Sequence, residues 1–300
     1  MASFSKSRSR YEIRSISLPS RSHPATVRIE EELNKLKATE ALSTTTNAEK
    51  ICRGLAGLNE VYKCLDEVLN LPLTQKALSL DQQERWIDAS LDASVRLLDV
   101  CSTTRDLTLQ IKEHVIELES AIRRKKGDSR IQISIAKYFS FRKEMNKGAK
   151  KLIKNAKQIE NKIASLPPLL DQVEDQHVTA VIRVLKEVSS ISVCVCNSLL
   201  SFFSTRISKP VMSRSWSKLL DKGRVACEEQ KENGNELQRV DVALNNIWKC
   251  GGSSEEDENM RMAQRLEQLQ ARIESIENGL ECLFKGLIKA RTSLLNIMSL

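Results

Sequence analysis

Apolar residues recur along this chain at helical spacing. From Met262 to Ile297, eleven successive a and d heptad positions are apolar: Met262, Leu266, Leu269, Ile273, Ile276, Leu280, Leu283, Leu287, Ala290, Leu294 and Ile297. Steps that alternate between four and three residues keep one seam on one side of a helix, and such a seam is unstable in water until another helix covers it. The flanking e and g positions are Arg265, Gln270, Arg272 and Glu277 in the first half, then Gly279, Phe284, Gly286 and Ser293. The apolar face therefore widens, as in a helix that begins as a narrow seam and ends among several neighbours. The cover is either the rest of this chain, in an intramolecular bundle, or a second chain in a coiled coil.

The same period organises the remainder. A first helix is predicted over Thr26–Leu42. A second runs over Asn47–Leu71, with Ile51, Leu55, Leu58, Tyr62, Leu65 and Leu69 on one face and Pro72 ending it. The third, from Asp81 to Lys126, would be about 70 Å long if unbroken. Gly127-Asp128 reads as a tight turn into a fourth helix over Arg130–Ser165, so these two long helices form an antiparallel hairpin. Pro167-Pro168 closes that unit, and a fifth helix follows over Asp171–Ser204. After a loop at Ser208-Lys209-Pro210, two shorter helices, Ser215–Glu232 and Glu236–Lys249, flank Asn233-Gly234-Asn235. Gly54 and Gly57 lie inside a helical pattern, where they allow close helix packing.

No window sustains a period of two, so no sheet is expected, and scarce glycine (10) and proline (6) fit a helical protein. The fold class is all-α: an elongated helical bundle with long antiparallel helices and a C-terminal heptad-bearing helix. Residues 1–25 read as a disordered basic tail, rich in serine and punctuated by Pro19 and Pro24. Residues 26–300 read as a single helical domain. It comprises N-terminal helices over 26–165, middle helices over 169–249, a flexible acidic linker over 250–259 and the heptad helix over 260–300.

One stretch tests the soluble reading. Val188 to Thr205 carries no charge over eighteen residues, the lower limit for a membrane span. It also holds six serines, Asn197 and Thr205, which are costly in hydrocarbon. Its apolar residues continue the stripe of Val181, Val184 and Leu185, so a buried core helix is the expectation.

Charge is distributed unevenly. The formal total is +8, yet residues 123–162 hold fourteen Lys/Arg against three acids and residues 1–28 hold six against one. The remainder is therefore net acidic, and the basic regions are free to seek anionic surfaces. Within the fourth helix, Lys147, Lys150, Lys151, Lys154, Lys157 and Lys162 fall within one arc of about 140°, and Met145, Ala149, Leu152, Ala156, Ile159 and Ile163 fall on the opposite side. Such a face is either the solvated exterior of a core helix or a docking surface for anionic lipid or an acidic partner helix. Nucleic acid is disfavoured, because the face carries no arginine or interleaved aromatic suited to base contacts.

The tail offers a short motif. Arg14-Ser15-Ile16-Ser17-Leu18-Pro19 fits R-S-x-S-x-P, a form that phosphoserine-binding 14-3-3 adaptors read, with Ser17 as the candidate phosphosite. No apolar signal-peptide core is present at the N-terminus. The Ser- and Arg-rich start shares its composition with transit peptides, but no amphipathic helix is evident before Pro19. A cytoplasmic protein, with a peripheral membrane association open to it, is the expectation. Its eight cysteines lie mostly beside aliphatic residues in helical patterns, without a CxxC pair, and read as buried reduced thiols.

Catalysis finds no support in these patterns. His23, His114 and His177 stand apart, with no metal-ligand spacing to Cys, Asp or Glu, and no glycine-rich phosphate loop is present. No catalytic residue, metal or cofactor is assigned, and binding to protein partners is the expected mode of action.

Four blocks carry a resemblance. They are Ile16-Ser-Leu-Pro-Ser-Arg-Ser-His-Pro24; Gly54-Leu-Ala-Gly-Leu-Asn-Glu-Val-Tyr62; Leu97-Leu-Asp-Val-Cys101 with Arg105-Asp106; and Gly279-Leu-Glu-Cys-Leu-Phe-Lys-Gly-Leu-Ile-Lys-Ala-Arg-Thr-Ser-Leu-Leu-Asn-Ile297. In this order they resemble the plant family related to the BYPASS proteins, long catalogued as a domain of unknown function. The resemblance implies a plant, all-helical, non-enzymatic protein associated with root and shoot development. It implies no catalytic or ligand residues.

Overall fold

In the computed structural model, the described residues are 23–41, 46–79, 84–124, 128–165, 176–205, 234–249 and 256–300. They form eight helices and no strand: α1 Pro24–Ala41, α2 Ala48–Leu69, α3 Pro72–Leu78, α4 Glu84–Arg123, α5 Asp128–Ala164, α6 Gln176–Phe203, α7 Glu236–Lys249 and α8 Glu256–Met298. The tail with Ser17, most of Cys250–Asn259 and the expected helix over Ser215–Glu232 lie outside the described residues, as do Gly127 and the Pro167-Pro168 and Ser208–Pro210 segments.

Two elements depart from the reading of the sequence. Pro72 does not end α2, which stops at Leu69; it opens the short helix α3 instead, with Leu71 as N-cap. A proline at the first helical position loses nothing, since its missing N–H would be unsatisfied there in any case. The heptad helix also begins within the stretch expected to be linker, at Glu256. Acidic side chains are favourable in a first helical turn, where the macrodipole is positive, so the acidic run starts the helix instead of preceding it.

Four helices form the centre. α8 packs on α2 and α4, and α6 packs on the same two from the other side. The directions follow from the contacts. Gly279 meets Leu55 and Gly286 meets Tyr62, so α2 and α8 run parallel. Arg105–Glu281 (2.7 Å), Lys112–Glu277 (3.0 Å) and Arg123–Glu267 (2.9 Å) set α4 antiparallel to α8. α5 returns antiparallel beside α4, tied by Lys137–Glu117 (2.9 Å) and Lys162–Asp92 (3.1 Å), and lies in the groove between α4 and α6. α1 fills the corresponding groove between α2 and α6. The hairpin of long helices expected from Gly127-Asp128 is thus present as α4 and α5.

Every one of the eleven heptad residues of α8 is buried within this single chain. The seam is covered by α2 and α4, which is the intramolecular alternative. The approach is close because glycine faces α2 at two places: a Cβ on Gly279 would sit 2.9 Å from Leu55 Cβ, and one on Gly286 would sit 2.9 Å from Tyr62 Cβ. Gly57 likewise admits Leu36 of α1.

The uncharged stretch of α6 lies in the interior, with Val188, Ile191, Val195, Leu199 and Phe202 buried. Among the described residues no helix is long and apolar enough to cross a membrane. Several of the hydroxyls of α6 find partners within the bundle: Ser192 Oγ donates to the Val188 carbonyl (2.7 Å) and lies 3.0 Å from Tyr62 Oη. Beside them Cys101 and Cys196 bring their sulfurs to 3.9 Å. The Cys196 sulfur and burial together hold the Cys101 thiol well above its ordinary range. Only the thiolate is a good nucleophile. In the native protein, iodoacetamide should therefore modify exposed Cys282 well before buried Cys101, whose peptide should stay unmodified until denaturant is added. Peptide mass mapping checks this, and early labelling of Cys101 would contradict the packing.

Candidate functional site

α5 is the helix on which the candidate site stands. Ile131, Ile135, Tyr138, Met145, Ala149, Leu152, Ala156, Ile159 and Ile163 are buried along one side of it. This continuous stripe fixes the rotation of the helix in its groove, and the opposite side must face water. All six lysines of the sequence-derived face are exposed there. The structure brings them onto one outward ridge, as the helical spacing implies.

Their surroundings differ. Lys147 pairs with Glu144 at 3.0 Å, and Lys162 reaches Asp92 of α4 at 3.1 Å. The hydrogen bond from Lys162 lowers the Asp92 carboxyl from its ordinary value. Lys150, Lys151, Lys154 and Lys157 have no acidic partner among the described residues. Glu160, the nearest acid in sequence, projects about 60° outside the arc. Among the described residues these four cations thus remain unneutralised on one helix.

The other sequence candidates do not converge on this ridge. Ser17 lies outside the described residues. His177 Nε2 is 2.9 Å from Thr74 Oγ1, His114 stacks on Phe141 with ring centroids 4.6 Å apart, and the His23 Nδ1 accepts from the Ala25 amide at 3.2 Å. Each serves local packing or capping. Among the described residues, no three His, Cys, Asp or Glu side chains gather into a metal-holding group. A small cavity beside the end of α5, lined by Trp86, Ser90, Ile163, Ile182, Leu185 and Lys186, offers about 10 Å³, room for a single water.

The most elaborate polar cluster was not anticipated from the sequence. Arg142 of α5 and Asp241 of α7 form a fully buried ion pair, with Nη2 donating to Oδ2 at 2.8 Å and Nε to Oδ1 at 3.2 Å. Tyr138 Oη donates to the same carboxylate at 2.9 Å. Burial pulls the Arg142 guanidinium down, but the Asp241 carboxylate beside it outweighs this and leaves it raised above its ordinary value. Burial and the adjacent carboxylate push the Tyr138 phenol far up, so it stays a donor.

This cluster also closes the C-terminus of α6, where the last helical carbonyls lack partners. Arg142 Nη1 donates to the Phe203 carbonyl (3.1 Å), Asn146 Nδ2 to those of Ser204 (2.9 Å) and Thr205 (2.8 Å), and Asn235 Nδ2 to that of Phe202 (3.1 Å). A cation at a helix C-terminus is favourable to the macrodipole. Asn235 at the same time caps α7, exchanging hydrogen bonds with Gln238 in a reciprocal box. One arginine thereby joins three helices. A signal was present in the sequence: Arg142 falls in phase with Ile135, Tyr138 and Met145, and Asp241 in phase with Leu237 and Leu244, so two opposite charges occupy apolar stripes.

Neither the curated proteins nor the solved structures give a match to this chain. A family model described as Protein BPS1 matches residues 54–297, from α2 to the end of α8. Three of the four resembling blocks lie within that span, and the block from Ile16 to Pro24 precedes it. The match covers well over half of the sequence, and the chain belongs to the BPS1 family.

Proposed function

We propose that this BPS1-family chain is a non-enzymatic regulatory protein of the plant cytoplasm, acting by binding partners in processes of root and shoot development. Family membership supports the regulatory and developmental part of this reading. The observation that carries the binding part is the α5 ridge, where Lys150, Lys151, Lys154 and Lys157 are exposed without acidic partners among the described residues. The tail around Ser17, once phosphorylated, supplies a second contact, for phosphoserine-binding adaptors.

Proximity labelling in plant cells tests the reading. The wild type is compared with a variant in which Lys147, Lys150, Lys151, Lys154 and Lys157 are replaced by Glu. Among the described residues only Lys147 of these has an ion-pair partner, a surface one. The variant should therefore fold with nearly wild-type stability, since such surface changes stay within roughly ±0.5 kcal/mol each. Loss of a defined set of neighbours is the expected result. An unchanged neighbour set would show the ridge to be solvated exterior only.

A further inference from the structure

The chemistry of the occupant can be read from the ridge itself, granting that the protein acts by binding. From Lys147 to Lys162 the ridge extends over about 23 Å of helix axis, and its four unneutralised lysines lie within about 10 Å, close to one Debye length at physiological salt. They therefore act as one patch of charge. The exposed arc from residue 143 to 162 is polar throughout: Lys143, Glu144, Lys147, Lys150, Lys151, Lys154, Lys157, Gln158, Asn161 and Lys162.

That composition discriminates between occupants. An acidic protein partner normally buries an apolar core in its contact, ringed by polar residues, and this arc offers no apolar side chain to bury. Nucleic acid binding draws on arginine and on aromatic platforms for bases, and the arc has neither. Lysine is a compact, strongly hydrated point charge without the bidentate geometry of arginine. Such charges suit a diffuse layer of anionic headgroups, which attracts each nearby lysine with about 1 kcal/mol, or about fivefold in affinity. We infer that the outward face of α5, centred on Lys150, Lys151, Lys154 and Lys157, docks this protein on an anionic membrane surface reversibly and without insertion.

Flotation of the full-length protein with vesicles tests this inference. The protein should float with phosphatidylcholine–phosphatidylserine vesicles at low salt, remain behind with phosphatidylcholine alone, and be released by high salt. Changing Lys150, Lys151, Lys154 and Lys157 to Gln should weaken partitioning by about several hundred-fold. A control variant with Lys35, Lys63, Lys285 and Lys289 changed to Gln removes the same charge from exposed positions on other helices. It should bind within about fivefold of the wild type. Circular dichroism of both variants verifies that the helices persist.

Equal losses in the two variants would mean that net charge, and not the ridge, attracts the vesicles, overturning the inference. Failure of the wild type to float with anionic vesicles would overturn it too. If lysine-dependent neighbours nevertheless remained in cells, the ridge would take an acidic protein, and the binding reading would stand without the membrane. If those neighbours were also unaffected by the lysines, the ridge would have no docking role and both readings would fall.

Discussion

Replacing Asp241 with alanine is expected to destabilise the protein by about 3–5 kcal/mol, measured as the shift in its urea unfolding curve, because it strands a buried charge. The native pair has side chains 0% and 1% exposed. Without Asp241, Arg142 retains its bonds to the Phe203 carbonyl and Thr205 but loses its counter-charge, and Tyr138 loses its acceptor. Water cannot readily replace them in so enclosed a site. The complementary change, Arg142→Met together with Asp241→Leu, should cost far less than the single substitution, since no unpaired charge is left behind. It still orphans the Phe203 carbonyl, so a residual loss of about 1–3 kcal/mol remains. A single Asp241→Ala change that shifted stability by less than about 1 kcal/mol would show that the pair is not sealed from solvent.

The second large effect is steric. Gly279→Ala and Gly286→Ala each place a methyl group 2.9 Å from a Cβ of α2, on Leu55 and Tyr62 respectively. A Cβ is fixed to its backbone and cannot rotate away, so relief requires α2 and α8 to separate. Overpacking of this kind costs about 1–3 kcal/mol per site. The two sites lie two turns apart on one interface and share the same displacement. The double variant should therefore lose less than the sum of the singles, at about 2–4 kcal/mol. Widening the gap also loosens the cover over the heptad seam, so the variant should bind a hydrophobic dye more readily before unfolding. Wild-type stability in the double variant would refute the close approach of these helices.

Both sites show where sequence reading succeeds and where it stops. The glycines were visible in the e and g positions of the heptad helix as a widening of its apolar face, but their partners were not, since nothing local says that α2 is the neighbour or that it runs parallel. The Arg142–Asp241 pair was discernible only as two charges out of place. Neither charge identifies the other across a sequence separation of 99. The lysine ridge was legible in full, because its six residues belong to one helix and 100° per residue is enough to align them.

By itself, the sequence determined the long helices among the described residues, their buried and solvated faces, and the six lysines that share an outward arc. These properties follow from periodicity within a single segment, where the chain's own geometry sets the neighbours. The tertiary structure alone decided that the C-terminal seam is covered by α2 and α4 of the same chain, and that Pro72 opens a helix. It alone joined a buried arginine of α5 to an aspartate of α7, and it left Lys150, Lys151, Lys154 and Lys157 without an acidic partner among the described residues. Those outcomes depend on which distant surfaces meet, and that choice is made by packing and desolvation over the whole core, which no local pattern encodes.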